Sequence, residues 1–161
     1  MIVSEKTLEW ALCLYPPLFF QRIRVKKFHS GFRGVDVKIS KSLFNKNYNG
    51  SIFGGTIYAA TDPFYAILFD QLLQRQGFKI RVWLKSASIQ YLKPGRSALY
   101  FTVVITDDML NEAIETLNTN GKFIKAYPME IKDINGEVCA TVMNEVYIRN
   151  LHKGEYGPVA Y

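Results

Sequence analysis

Residues 45–68 read NKNYNGSIFGGTIYAATDPFYAIL. Asn45 to Ser51 is a loop of turn-forming residues, and Gly54-Gly55 sits where a helix can begin. From Thr56 to Leu73 the chain is mostly apolar, and Gly77 then offers a helix stop. A helix that is apolar almost all round must be buried on most faces. Two carboxylates interrupt it. Asp70 lies toward the polar end, beside Gln71, where water is within reach. Asp62 is near the middle and is followed at once by Pro63. A buried, unpaired charge is expensive, so Asp62 needs a structural partner or a chemical task. Two local readings stand. Asp62-Pro63 can be the cap and first residue of a second helical segment. Alternatively the helix continues, and Pro63 kinks it by leaving the Ala59 carbonyl without a donor.

On either side the chain divides into short periodic elements. Ser4 to Leu14 is a helix that Ser4 can cap, with Thr7 competing for that role, and that Pro16-Pro17 stops. Leu18 to Phe28 is a connector whose alternation (Ile23, Val25 against Arg22, Arg24, Lys26) suits an edge strand or a basic lip. Arg33 to Leu43 alternates as a half-buried strand, with Val35, Val37 and Ile39 on one face. After the central helix comes a strand over Lys79–Leu92. Ile80, Val82, Leu84, Ser86 and Ser88 share one face; Trp83, Lys85, Ala87, Ile89 and Tyr91 share the other. Lys85 on that apolar face either snorkels or pairs with a buried acid. Lys93-Pro-Gly-Arg96 is a tight turn. Leu99, Phe101, Val103 and Ile105 form the core face of the next strand. Asp107 to Leu117 is a short helix capped by Thr106 or Asp107. Phe123–Asp133 and Val138–Arg149 are strands joined at Asn135-Gly136, a strong hairpin signal, with Pro128 marking a bulge or unpaired position. Buried helix plus hairpin-connected strands make an α+β protein, an antiparallel sheet packed around a long central helix. It forms one domain over residues 1–161, with an N-terminal helix and connector (1–28), a small helical insertion and a peripheral tail (151–161).

A chain of 161 residues, 48% hydrophobic and 14% aromatic, can build one sizeable core. Its net charge of +6 is scattered, the clusters being Arg22–Lys27 and the pair Lys93 and Arg96. Without a dense basic run or a recognition motif, nucleic acid is not an expected partner. The run Leu8–Phe20 contains Glu9, Pro16 and Pro17, too interrupted for a membrane span. The two histidines are far apart and no Cys/His set has metal-ligand spacing, so no metal or resident cofactor is expected. Cys13 and Cys139 read as reduced apolar side chains, which suggests a reducing, cytoplasmic compartment.

Asn47-x-x-Gly50-x-x-Phe53-Gly54-Gly55, with Asp62 beyond it, resembles the Asn-x-x-Gly-x-x-His-Gly-Gly…Asp pattern of phenylacetyl-CoA thioesterase-like hotdog enzymes. The chain is more similar still to an uncharacterised hotdog family, a domain of unknown function. That family is marked by Phe-Gly-Gly-x-x-Tyr-x-x-x-Asp-Pro, here Phe53 to Pro63. Val82-Trp83-Leu84-Lys85, Leu92 to Arg96 and the Tyr15-Pro-Pro opening also match, so the resemblance spans nearly the whole chain.

The resemblance implies a hotdog fold and an acyl-CoA thioesterase-like hydrolase. Asp62 would activate water or attack the thioester carbonyl, the Gly55 N–H would hold the oxyanion, and Asn47 would orient water or substrate. Phe53, Gly54 and Tyr58 would line the site, Ser86 and Ser88 would finish its polar wall, and Lys85 would hold Asp62 ionised. On charge alone, Lys93, Arg96 or Arg149 would meet CoA phosphates, CoA entering only as part of the substrate. Hotdog proteins commonly assemble as dimers or dimers of dimers, so Asp62 of one subunit would face Gly55 and Asn47 of the other. Phe53 stands where the characterised pattern has histidine, and a phenyl ring cannot polarise a carbonyl. The alternative is therefore a non-catalytic module binding an acyl or aromatic ligand. Asn47 as a turn residue, Ser86 and Ser88 as ordinary strand positions, and Gly54-Gly55 as a packing device stand beside these roles.

Overall fold

The computed structural model describes residues 2–152. Its elements are α1 (Glu5–Leu14), α2 (Pro16–Phe20), β1 (Ile23–Phe28), β2 (Gly34–Ile39), α3 (Gly54–Thr61), α4 (Pro63–Arg75), β3 (Ile80–Tyr91), β4 (Leu99–Val104), α5 (Asp107–Asn120), β5 (Lys122–Lys132) and β6 (Val138–Asn150). The strands form one six-stranded sheet in the order β1-β2-β4-β5-β6-β3, with every pairing antiparallel. The expected tail lies almost entirely outside the described residues.

The alternation seen in the sequence fixes the inner face of most strands. Val35, Val37 and Ile39, Leu99, Phe101 and Val103, and Phe123, Tyr127, Met129 and Ile131 are all buried. Against them α3 and α4 bury Ile57, Ala60, Phe64, Leu68, Phe69 and Leu73. Aromatic rings dominate the contact: Tyr65 stacks on Tyr127, and Phe69 packs against Phe123 and Tyr127. The Tyr65 hydroxyl donates to the Pro128 carbonyl at 2.8 Å, tying helix to sheet. Gly77, at φ +84°, ends the helix, and the Phe78 N–H returns to the Leu73 carbonyl. Thr106 caps α5 through the Met109 N–H, and Gly136 takes the positive φ of the β5–β6 turn.

Three expectations change. Pro16-Pro17 does stop α1, but it also opens α2, because proline's missing N–H costs nothing in a first helical turn. Pro128 sits in register opposite Met143, and the bulge of β5 falls later, between Ile131 and Lys132. In β3 the register shifts between Leu84 and Ser86. This bulge reverses the alternation. Ile80, Val82, Leu84, Ala87 and Ile89 face inward, whereas Trp83, Ser86 and Ser88 face out, opposite Tyr147, Glu145 and Met143. The basic connector resolves as β1, an edge strand covered by α1. At the other edge lies β3, paired among the described residues with β6 alone. Among the described residues no helix is long and apolar enough to cross a membrane.

Leu68 is fully buried at the centre of α4. Leu68→Ala is expected to lower stability by about 2–5 kcal/mol, measured as a fall in the urea midpoint at constant slope.

Candidate functional site

The glycine pair starts the central helix. Gly54 and Gly55 occupy the first two positions of α3, where no helical carbonyl can reach their N–H groups. Phe53 is the N-cap residue and supplies no side-chain acceptor. The positive end of the helix dipole is thus left with exposed donors. A ring also lies against each glycine. A Cβ on Gly54 would lie 3.0 Å from the Tyr91 ring, whose hydroxyl donates to the Gly54 carbonyl at 2.8 Å. A Cβ on Gly55 would lie 2.4 Å from the Phe53 ring. The phenyl group that replaces the expected histidine therefore folds over Gly55, its outer face in solvent.

The preceding loop is held from below. Asn45 is buried and donates to the Gln21 and Ser40 carbonyls at 2.7 and 2.9 Å, while its Oδ1 accepts from the Ser42 N–H. Asn47 is engaged as well. Its Nδ2 donates to Ser51 Oγ at 2.9 Å, and its Oδ1 accepts from the Ser51 N–H at 3.1 Å. It is the turn residue of this loop, and it lines a cleft of about 340 Å³ with Gly54, Tyr91 and Lys93.

Asp62 sits at the junction of α3 and α4. Its backbone is right-handed helical (φ −60°, ψ −54°) and its side chain caps nothing. Each reading holds in part: the helix divides here, with Asp62 at the N-cap position and Pro63 first in α4, yet helical backbone runs through the junction and the carboxylate makes no cap bond. Side chains repair the junction: Thr61 Oγ1 donates to the Tyr58 carbonyl, and buried Asn144 Nδ2 donates to the Thr61 carbonyl at 2.7 Å. No cation or donor among the described residues meets the Asp62 carboxylate. It opens into an apolar cleft of about 380 Å³, walled by Leu12, Tyr15, Pro17 and Leu18 from the N-terminal helices, Tyr58 from α3 and Leu84 from β3. Partial burial pushes its pKa above the ordinary carboxylate value.

Other expected members lie elsewhere. Lys85 is not beside Asp62. It projects from the bulge on the outer face and pairs with Glu145 at 2.9 Å, holding that carboxyl below its usual range. Ser86 joins the same group, its Oγ 3.1 Å from Glu145 Oε2, so Ser86 and Ser88 do not wall the Asp62 cleft of their own chain. Lys93 pairs with Glu137 at 2.9 Å and shares a further cleft with Arg96. Arg149 lies opposite Arg81, at the far end of β3 from Lys93, roughly 35 Å along the strand. Arg149 therefore cannot share one ligand with Lys93 and Arg96 within a chain. Among the described residues no group of three His, Cys, Asp or Glu side chains is placed to hold a metal ion. Tyr91 and Tyr15 were not anticipated. Tyr15 had a signal in the Tyr-Pro-Pro opening, whereas Tyr91 meets Gly54 only through tertiary folding.

A sheet curved about a helix that begins at a glycine pair and bears a mid-helix carboxylate defines a hotdog-fold protein. The chain belongs to the family described as a domain of unknown function, DUF4442, which it matches over residues 4–148. Its structure is similar to a protein of unknown function from Chlorobaculum tepidum (TM-score 0.73, 13% identity, covering 90% of this chain and 93% of that one). It is also similar to a thioesterase from Haemophilus influenzae (TM-score 0.69, 12% identity, 97% of each chain). A third likeness is to the PaaI protein of the E. coli phenylacetic acid degradation operon (TM-score 0.58, 13% identity, 92% of this chain and 96% of that one). No curated protein matches its sequence.

A raised pKa means that the folded state holds the Asp62 proton more tightly than the unfolded chain does. Stability therefore falls as pH rises from the unfolded value through the folded one, then stays lower. Asp62→Asn is expected to leave Tm nearly unchanged at about pH 3, below the ordinary aspartate value, and to raise it at about pH 7. Thermal melts of both proteins across pH check this.

Proposed function

We propose that this protein hydrolyses an acyl thioester, an acyl-CoA or a related compound, at a site completed by two copies of the chain. The observation that carries the reading is Asp62: a carboxylate on a buried helix, unpaired among the described residues, and opening into an apolar cleft. Its Oδ accepts a proton from water, and the water oxygen attacks the thioester carbonyl carbon. The carbonyl oxygen becomes an oxyanion and is held by the Gly55 N–H at the positive end of α3. The carbon–sulfur bond then breaks, and the thiolate leaves with the proton from Asp62.

Asp62 and Gly55 cannot do this within one chain. They stand seven positions apart on the helix, so they share a face but are about 10 Å from each other. A two-fold partner resolves the distance. The open edge of β3 runs beside both half-sites, because Leu84 lines the Asp62 cleft and Tyr91 covers Gly54. If β3 pairs antiparallel with its own copy about an axis near Ala87 and Ser88, Leu84 of one chain meets Tyr91 of the other. Asp62 of each subunit is then brought toward Gly55 of its partner, giving two equivalent sites. A homodimer, or a dimer of dimers, is the assembly this requires, and it also covers a long open strand edge.

The Phe53 ring over Gly55 favours a second reading, a module that binds an acyl or aromatic group without turnover. Hydrolysis of a panel of short-, medium-, long-chain and aromatic acyl-CoAs separates the two. Asp62→Asn is expected to lose about 10²–10⁴-fold in kcat/KM while remaining folded. In the parent, kcat/KM is expected to fall as pH drops through a pKa above the ordinary aspartate value. Absence of turnover by folded parent protein, with retained ligand binding, would select the second reading.

A further inference from the structure

The N-terminal helices carry their apolar residues on two faces, and only one is used. Leu8, Leu12 and Cys13 of α1 pack toward the core. The opposite side should be polar in a surface helix. Instead Trp10 is 68% and Leu14 is 64% exposed, four residues apart, and α2 adds Phe20 at 64%. Tyr15 and Phe19 are exposed between them, and the Phe19 and Phe20 rings meet edge to face. Five large apolar side chains within residues 10–20 thus face outward, more than a lone folded chain ordinarily leaves in water.

Basic groups border this face. The sequence cluster Arg22–Lys27 becomes β1, whose register shifts between Val25 and Lys27, so Lys26 and Lys27 are both exposed. Arg24, Lys26 and Lys27 have no acidic partner among the described residues. Trp10, Leu14 and Phe19 share one cleft of about 360 Å³ with Arg24 and Lys26, the acid in its wall being Glu9.

We propose that the face formed by α1, α2 and the outer side of β1 docks on an anionic lipid surface. Aromatic side chains with a polar edge settle at the level of lipid headgroups. A helix of ten residues with an apolar outer stripe lies in that plane and does not cross it. Unpaired Arg and Lys side chains beside it meet anionic headgroups. The same charges argue against a second copy as occupant, since a two-fold contact here would crowd Arg24, Lys26 and Lys27 of both chains. Tyr15 borders the Asp62 cleft as well as this face, so docking would set the cleft beside the lipid. The proposal does not rest on the thioesterase reading.

The test is sedimentation of the full chain with vesicles of phosphatidylcholine alone and with roughly 30 mol % phosphatidylserine. Binding is expected to the mixed vesicles and to weaken with salt. Trp10→Ala with Phe20→Ala, and separately Arg24→Glu with Lys26→Glu, should each lower partitioning by about tenfold or more while circular dichroism is unchanged. In a Trp83→Phe protein, Trp10 emission should shift to the blue on mixed vesicles. No sedimentation of the parent with mixed vesicles, or binding unaffected by both pairs of substitutions, would overturn the proposal. So would a fall in solution mass of the Trp10→Ala, Phe20→Ala protein without lipid, which would assign the face to self-association.

Discussion

A carboxylate without a counter-charge among the described residues governs the central helix. Asp62 sits where an apolar helix would least favour a charge, and Pro63 prevents that helix from running straight past it. The kink is consolidated from the sheet side. Asn144 on β6 is fully buried and commits its amide to the Thr61 carbonyl, while its own Oδ1 has no partner among the described residues. A buried polar atom left unpaired is a cost that a plain apolar contact would avoid. Together, Asp62, Pro63 and Asn144 hold the carboxylate against an apolar cleft rather than in open water. Stability is given up at this point of the core, and a catalytic site is where such a sacrifice is expected.

The rest of the site follows from how β3 is laid beside the helix. Its bulge at Lys85 divides the strand. Before it, Leu84 closes the Asp62 cleft; beyond it, the chain runs on to place Tyr91 against Gly54. The bulge also sends Lys85 to Glu145 on the outer face. A cation beside Asp62 would hold its pKa down, whereas its absence leaves burial as the acting cause. The glycine pair answers to the same geometry, because a ring lies over each α-carbon and a Cβ at either position would have to displace it.

Much of this was legible in the sequence, and the reasons differ by element. The inner faces of β2, β4 and β5 could be read directly, because a two-residue alternation over Val35–Ile39, Leu99–Ile105 and Phe123–Ile131 has one solution once a face is buried. β3 could not, since one inserted residue reverses every later side chain and leaves no mark in composition. That is why Ser86 and Ser88 exchanged faces with Ala87 and Ile89. Asp62 and Gly54-Gly55 stood out because a charge in an apolar helix and a glycine pair at its start each need a physical reason. The partners of Lys85 and Gly54 lie 60 and 37 residues away in Glu145 and Tyr91. Only the folded chain brings such pairs together.

The central claim is that Asp62 of one subunit acts on a thioester held at Gly55 of the other. Activity in mixed dimers tests it most directly. Gly55→Pro removes the N–H at a first-turn position where no helical carbonyl uses it, and the exposed Phe53 ring would swing outward to admit the proline ring. Each variant alone, Asp62→Asn or Gly55→Pro, should be inactive as a folded dimer. Unfolding the two together in equal amounts and refolding them should return about a quarter of the parental activity, since half of the dimers then carry one intact site. Mixed dimers no more active than either variant would contradict the shared site and place both groups' action within a single chain, or nowhere.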